Sequence, residues 1–216
     1  MVAMQSNLTQ SAINFYIPVL TTILNSFQDH YKDYDVCRLD TESLVKFLEP
    51  GQMHCIKALF PQALVPCDVT QATFIRPYKD EYSQRFVVVE LALYNAFQKM
   101  TLDCLSSTKQ TLMIESGYRS TQYQIFIYLK ALYDVDFQLS EQQLVMVPHL
   151  SEHAQLPFHA VDLKIKEQKE CSRFELTGAY EWLSHNAANY GFSLSYPQDN
   201  TLGISFEPWH WLYQRL

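Results

Sequence analysis

The stretch TLMIESGYRSTQYQIFIYLKALY, residues 111–133, decides the fold class. Its apolar start, 111–114, predicts a strand, and the Ser-Gly-Tyr-Arg-Ser segment at 116–120 has the residue types of a strand-to-helix turn. A helix should follow, because apolar side chains recur there at helical spacing, at Ile125, Leu129 and Leu132. Because a strand is followed directly by a helix here, the stretch predicts a fold that mixes helices with a sheet.

The same periodicities predict further elements on both sides of this stretch. Helices are expected at Leu8–Tyr31, Met53–Phe60, Tyr82–Leu102 and Thr177–Tyr190. Strands are expected at His159–Ile165, Phe192–Tyr196 and Leu202–Phe206. Only helices are predicted before Pro61, so we expect a helical N-terminal extension (1–61) followed by a second domain (62–216).

Composition narrows the classes of partner. The chain has 216 residues, 48% of them hydrophobic, and 16 Lys and Arg against 23 Asp and Glu give a net charge of −7. This is a globular composition, and its acidity argues against nucleic acid as a partner. We also expect no membrane span, since no run approaches the roughly 18 apolar residues that one needs.

The compartment depends on the N-terminus. The apolar segment 12–24 is preceded by no basic residue, so we predict a buried helix rather than a signal peptide. That favours the cytoplasm, whereas removal of a leader would place the protein in the periplasm or cell envelope.

Two clusters of polar residues carry the candidate chemistry. One is Ser151-Glu152-His153, followed nine residues after the histidine by Asp162, and the other is Glu207-Pro208-Trp209-His210. Together they supply two imidazoles, one carboxylate ligand and one further carboxylate, which are the parts of a catalytic zinc site with a general base. In a strand over 159–165, Asp162 lies opposite the apolar face of Val161, Leu163 and Ile165, so its carboxylate points away from the core. Taken alone, these residues leave both a metal site and a chance grouping of histidines open.

Four blocks in this order resemble a known family. They are Ser116-Gly117-Tyr118-Arg119-Ser120, Ser151-x-His153 with Ala160-Val161-Asp162-Leu163, the 177–183 helix with Tyr190-Gly191-Phe192 through Tyr196-Pro197, and Gly203-Ile204-x-x-Glu207-Pro208-Trp209-His210. Over about residues 62–216 the chain resembles the zinc D-alanyl-D-alanine carboxypeptidases of the VanY type, whose fold is shared with the hedgehog signalling domain. The resemblance implies an α+β fold in which a small antiparallel sheet is flanked by helices. It also implies a Zn²⁺ cofactor and, as substrate, a peptidoglycan stem peptide or its precursor ending in D-alanine.

The resemblance also implies a role for each matching residue. His153, Asp162 and His210 would be the zinc ligands, and Glu207 the base that activates water. Arg119 would contact the substrate carbonyl or carboxylate, which suits the guanidinium fork. Ser151 and Gln124 would line the substrate site. The structural alternatives are that Ser151 caps a turn and that Gln124 is a solvated helix residue.

The match departs from the family pattern after His153. The interval to Asp162 is two residues longer, and no glycine occurs within it. An endopeptidase of the same fold, or a catalytically impaired interaction module on this scaffold, are therefore the alternatives to a carboxypeptidase. The N-terminal extension is a possible docking site for a protein partner. We expect His159 to be structural, because it alternates with Asp162, and His149 to be a weaker candidate for supporting the site.

Overall fold

The computed structural model describes residues 8–30, 44–46, 48–65, 73–79, 86–140, 147–155, 159–168 and 173–214. Its helices are α1 (Gln10–His30), α2 (Pro50–Leu59), α3 (Leu91–Thr108), α4 (Thr121–Asp134) and α5 (Gly178–Asn186). Its strands are β1 (Phe74–Ile75), β2 (Val89–Glu90), β3 (Leu112–Ser116), β4 (Ala160–Ile165), β5 (Phe192–Leu194) and β6 (His210–Tyr213). Short 3₁₀ turns lie at Pro61–Leu64, Pro148–Leu150, Phe174–Leu176 and Ala187–Tyr190.

The chain forms two compact units. The helical unit combines Met1–Cys67 with Arg119–Ala154, and the sheet unit combines Asp68–Tyr118 with Gln155–Leu216. The division at residue 61 that the sequence suggests stays a prediction. Within the described ranges, no helix is long and apolar enough to cross a membrane.

The helical unit contains α1, α2 and α4. Helix α1 confirms the first predicted helix and buries the apolar residues Ile13, Leu20 and Ile23. Helix α2 begins at Pro50, three residues before the predicted start at Met53. The proline occupies the first turn, and Glu49 and Gln52 form a capping box around it. Helix α4 begins where the Ser120 hydroxyl accepts a hydrogen bond from the Tyr123 amide.

The sheet unit is built on a four-stranded sheet in the order β3-β4-β6-β5, with every neighbouring pair antiparallel. Apolar side chains from one face of this sheet pack with those of α3 and α5, among them Ile114, Val161, Leu163, Leu93, Phe97 and Leu183. The strand-to-helix turn after β3 lies where the sequence predicts it. The expected α+β class, with a small antiparallel sheet flanked by helices, is therefore confirmed.

The helix predicted at Tyr82–Leu102 is wrong at its start, because α3 begins only at Leu91. Residues 82–85 lie outside the described ranges, and Val89–Glu90 forms β2, which pairs with β1. Consecutive β-branched valines at 87–89 favour extended backbone. The carboxylate of Glu90 then starts the helix by accepting hydrogen bonds from the amides of Ala92 and Leu93.

The strand predicted at Leu202–Phe206 is also wrong. Gly203 has φ +74°, a left-handed conformation that a strand does not use. The side chain of Asn200 donates to the carbonyls of Pro197 and Ile204 and accepts from the amide of Leu202, so it holds this segment as a loop. The final strand, β6, begins instead at His210.

Candidate active site

Asp162 and His210 face each other across two neighbouring strands. They are direct partners in the antiparallel pairing of β4 with β6. Both side chains are buried, and Nδ1 of His210 lies 3.0 Å from Oδ1 of Asp162. Because Val161 and Leu163 belong to the hydrophobic core, alternation along β4 places Asp162 on the face opposite the core.

Residues 207–210 form a tight turn that leads into β6. The His210 amide donates to the Glu207 carbonyl over 3.0 Å, which closes the turn. The indole nitrogen of Trp211 donates to the Pro208 carbonyl over 2.9 Å, and the Leu163 amide of β4 donates to the carbonyl of residue 209 over 2.8 Å. The carbonyls of residues 207, 208 and 209 thus each accept a hydrogen bond, which holds the backbone of Glu207 close to His210.

Tyr196 contacts both ends of this turn. Its ring stacks on the imidazole of His210, with centroids 4.9 Å apart and planes 27° apart. Its carbonyl accepts a hydrogen bond from the Glu207 amide over 3.1 Å, and the amide of Ser195 donates to the His210 carbonyl over 3.2 Å. Reasoning from the sequence gave Tyr196 no role in the site. The signal was its place in the Tyr-Pro pair of the third resembling block.

The other predicted site residues lie in the helical unit. The Arg119 amide donates to the His153 carbonyl over 3.0 Å, which joins the turn before α4 to the segment of the histidine. Nε2 of Gln124 donates to Oγ of Ser151 over 2.6 Å. Gln124 is buried, so the alternative that it is a solvated helix residue is wrong. Arg119 itself is half-buried.

The three predicted metal ligands meet as a group. His153, Asp162 and His210 are all buried, and each offers a ligand atom within 4.8 Å of those of the other two. Two imidazoles and a carboxylate suit Zn²⁺, which takes three protein ligands in catalytic sites. The residues present therefore fit a zinc ion, while the ligand and substrate roles assigned from the sequence stay predictions.

Two further histidines, His159 and His149, differ in their environments. His159 is buried, with its ring 5.3 Å from that of Tyr213 and Nε2 3.9 Å from Oε2 of Glu90. Those contacts match the expectation that it packs structurally. His149 is half-buried in the turn Pro148–Leu150, and this burial lowers its pKa below the usual 6.5.

A family model and two curated proteins match this chain. The VanY family, D-alanyl-D-alanine carboxypeptidase, matches residues 87–216. The bifunctional D-Ala-D-Ala dipeptidase and D-Ala-D-Ala carboxypeptidase VanXYC of Enterococcus gallinarum is 32% identical over 111 residues, 49% of this chain and 57% of that protein. A D-alanyl-D-alanine carboxypeptidase of Enterococcus faecium is 29% identical over 121 residues, 54% of this chain and 34% of that protein.

A solved structure extends the likeness to the fold. VanYB in complex with D-alanine-D-alanine has a TM-score of 0.53 and 24% identity, with 69% of this chain and 80% of that chain covered. The alignments to the two curated relatives span only 57% and 34% of their lengths. The family match, however, covers more than half of this chain and includes Arg119, His153, Asp162 and the turn at 207–210. The protein therefore belongs to the VanY family.

Proposed function

We propose that this protein is a zinc-dependent D-alanyl-D-alanine carboxypeptidase that hydrolyses the terminal peptide bond of peptidoglycan stem peptides or their precursors. The observation that carries the proposal is the buried His153–Asp162–His210 group, with Glu207 held on the turn that ends at His210. Membership of the VanY family supports it, as does the D-Ala-D-Ala specificity in the names of both curated relatives.

In this proposal each residue has a distinct task. His153, Asp162 and His210 hold the zinc ion, which when bound polarises the substrate carbonyl and lowers the pKa of water. Glu207 is the half-buried first residue of the turn, and its carboxylate accepts a proton from the attacking water and passes it to the leaving amine nitrogen. Arg119 binds the terminal carboxylate of the peptide through its guanidinium fork. Gln124 and Ser151 line the substrate site as a hydrogen-bonded pair.

The test separates proton transfer from metal binding. Glu207→Gln removes the base but keeps the size of the side chain, so we expect bound zinc to remain stoichiometric while D-alanine release falls by about 10²–10⁴-fold. His210→Ala should lose both zinc and activity. Glu181→Gln, at an exposed glutamate on α5, is the matched control and should behave as wild type. A Glu207→Gln variant of normal activity would overturn the proposed mechanism.

The same assay distinguishes the alternatives. Mass spectrometry of a pentapeptide digest shows free D-alanine if the protein is a carboxypeptidase and internal fragments if it is an endopeptidase. Stoichiometric zinc without chelator-sensitive hydrolysis would indicate a catalytically impaired interaction module. A protein partner at the N-terminal extension is a separate proposal, which binding measurements on the full chain would test.

A further inference from the structure

Helix α1 contacts α4 near one of its ends and the residues just after α4 near the other. Near its start, the Gln10 side chain donates to the Phe137 carbonyl over 3.0 Å and accepts from the Leu139 amide over 2.7 Å. Near its end, the ring of Phe27 stacks on that of Phe126, with centroids 3.7 Å and planes 8° apart. Since the start of α1 meets the residues after α4, and its end meets the first half of α4, the two helices run antiparallel.

The Phe27 contact falls on the part of α4 that carries a predicted substrate residue. Besides Phe126, the Phe27 ring lies 5.8 Å from the ring of Tyr123. Gln124, between these two aromatic residues, is the donor to Ser151. On a helix, positions 123 and 126 lie on one side, and position 124 is rotated by about 100° from 123. Phe27 therefore packs against the helical turn that aims Gln124 at Ser151.

The same turn is joined to the segment of a predicted metal ligand. Ser120 caps α4 through the Tyr123 amide, and the preceding residue, Arg119, donates its amide to the His153 carbonyl. The start of α4 thus has two connections to the segment 151–153, one through a side chain and one through the backbone. A displacement of this turn would move the Gln124–Ser151 pair.

We propose that α1 is a positioning element of the substrate site, in which Phe27 holds the first turns of α4 in place through Phe126 and Tyr123. This inference rests on the proposed function, where Gln124 and Ser151 line the substrate site. Part of the N-terminal extension would then support the substrate site through its contact with α4. Phe27 is 9% exposed, so its removal leaves a void against Phe126 into which α4 can relax.

The helix supplies its own matched control. Phe15 lies on α1 as well, is 77% exposed, and has its ring against Tyr16 of the same helix. Phe27→Ala and Phe15→Ala thus make the same chemical change on one helix, once at the contact with α4 and once on the exposed side. Phe27→Leu, which refills much of the void, is the conservative variant.

The first readout is independent of activity. Hydrogen exchange of backbone amides 121–126 is followed in the full-length protein under conditions where circular dichroism shows each variant folded. We expect exchange about tenfold faster in Phe27→Ala, an intermediate rate in Phe27→Leu and no change in Phe15→Ala. Equal exchange in all three variants would overturn the inference whether or not the proposed enzymatic function is right.

The second readout tests the consequence for substrate. With a peptide ending in D-Ala-D-Ala, Phe27→Ala should raise KM about tenfold and change kcat less than about twofold, because Gln124 and Ser151 contribute uniform binding. Phe27→Leu should restore most of the affinity. Faster exchange with an unchanged KM would overturn the role in substrate binding. If the wild-type protein hydrolyses no such peptide, the proposed function fails, and the exchange data still decide whether α1 positions α4. If Phe27→Ala does not fold, Phe27→Leu is compared with Phe15→Leu.

Discussion

Adding one methyl group at Gly117 should destabilise the turn that leads to Arg119. A Cβ atom at Gly117 would lie 2.2 Å from the carbonyl oxygen of Val88 and 2.6 Å from Cγ1 of Val89. The Val88 carbonyl already accepts a hydrogen bond from the Tyr118 amide over 2.6 Å. Since Val89 is buried and pairs with Ile75 in the β1–β2 ladder, the neighbouring backbone has little room to retreat.

The expected size follows from these contacts. Forcing a methyl group into such a packed site costs about 1–3 kcal/mol, and weakening the Tyr118 hydrogen bond costs about 0.5–1.5 kcal/mol. We therefore expect Gly117→Ala to lower the free energy of unfolding by about 2–4 kcal/mol. For a chain of this length each kcal/mol shifts Tm by about 2–4 °C, so Tm should fall by about 5–15 °C.

Two other glycines, Gly203 and Gly51, provide control substitutions for the measurement of Tm. Gly203 has φ +74°, but no neighbouring atom lies within 4 Å of the place a Cβ atom would take, so Gly203→Ala should cost only the backbone strain, about 1–2 kcal/mol. Gly51 lies in α2 with open space around it, so Gly51→Ala should be neutral or slightly stabilising. Calorimetry of the three variants ranks them. If Gly117→Ala melts at the same temperature as Gly51→Ala, the steric reasoning is refuted.

Three further predictions concern single side chains. Because the Tyr196 ring stacks on His210, it should orient that predicted ligand, so Tyr196→Leu should weaken zinc binding about tenfold in a chelator competition. Tyr196→Phe keeps the ring and should bind zinc as wild type does. Equal zinc affinities of the Leu and Phe variants would contradict this. Burial lowers the pKa of His149, so the unfolded chain takes up a proton more readily and stability falls as the pH drops below about 6.5. His149→Gln should therefore lose less Tm between pH 7 and 5 than wild type, and parallel curves would exclude the effect. Burial raises the pKa of Cys55 to about 12, so little of the reactive thiolate is present at pH 8. Iodoacetamide at pH 8 should therefore label Cys55 far more slowly in the folded than in the denatured protein, which peptide mass spectrometry would measure.

Strand alternation supported Asp162 as a candidate ligand, whereas His153 and His210 were proposed from the two polar clusters and the family resemblance. Asp162 and Lys164 are the polar residues of β4, and because they alternate with Val161, Leu163 and Ile165 of the core, their side chains lie on the opposite face of the strand. The pairing of Asp162 with His210 was not predictable in the same way, because it depends on which strands become neighbours. The part played by Tyr196 was missed for this reason, since its contacts with His210 and Glu207 arise only when β5 pairs with β6.

The two incorrect predictions, the strand at 202–206 and the start of the helix at 82, fall where side-chain hydrogen bonds outweigh the periodic pattern of apolar residues. Leu202, Ile204 and Phe206 alternate as a strand would, yet the hydrogen bonds of Asn200 and the left-handed Gly203 hold a loop there. The apolar residues at 86–97 recur at helical spacing, so the predicted helix ran past its true start after Glu90. A run of valines followed by a carboxylate nevertheless indicates a strand that ends at the N-cap of a helix.

The longer interval between His153 and Asp162 is compatible with a family site, because neither residue depends on the connecting segment for its backbone position. The carbonyl of His153 is fixed by the Arg119 amide. Asp162 lies in β4 between two partners, opposite Ser116 of β3 and opposite His210 of β6. Two added residues change the entropy of closing such a segment by only about 0.2 kcal/mol, which is small beside the hydrogen bonds that hold each end. The longer connection therefore leaves the backbone contacts of each residue in place within its own unit.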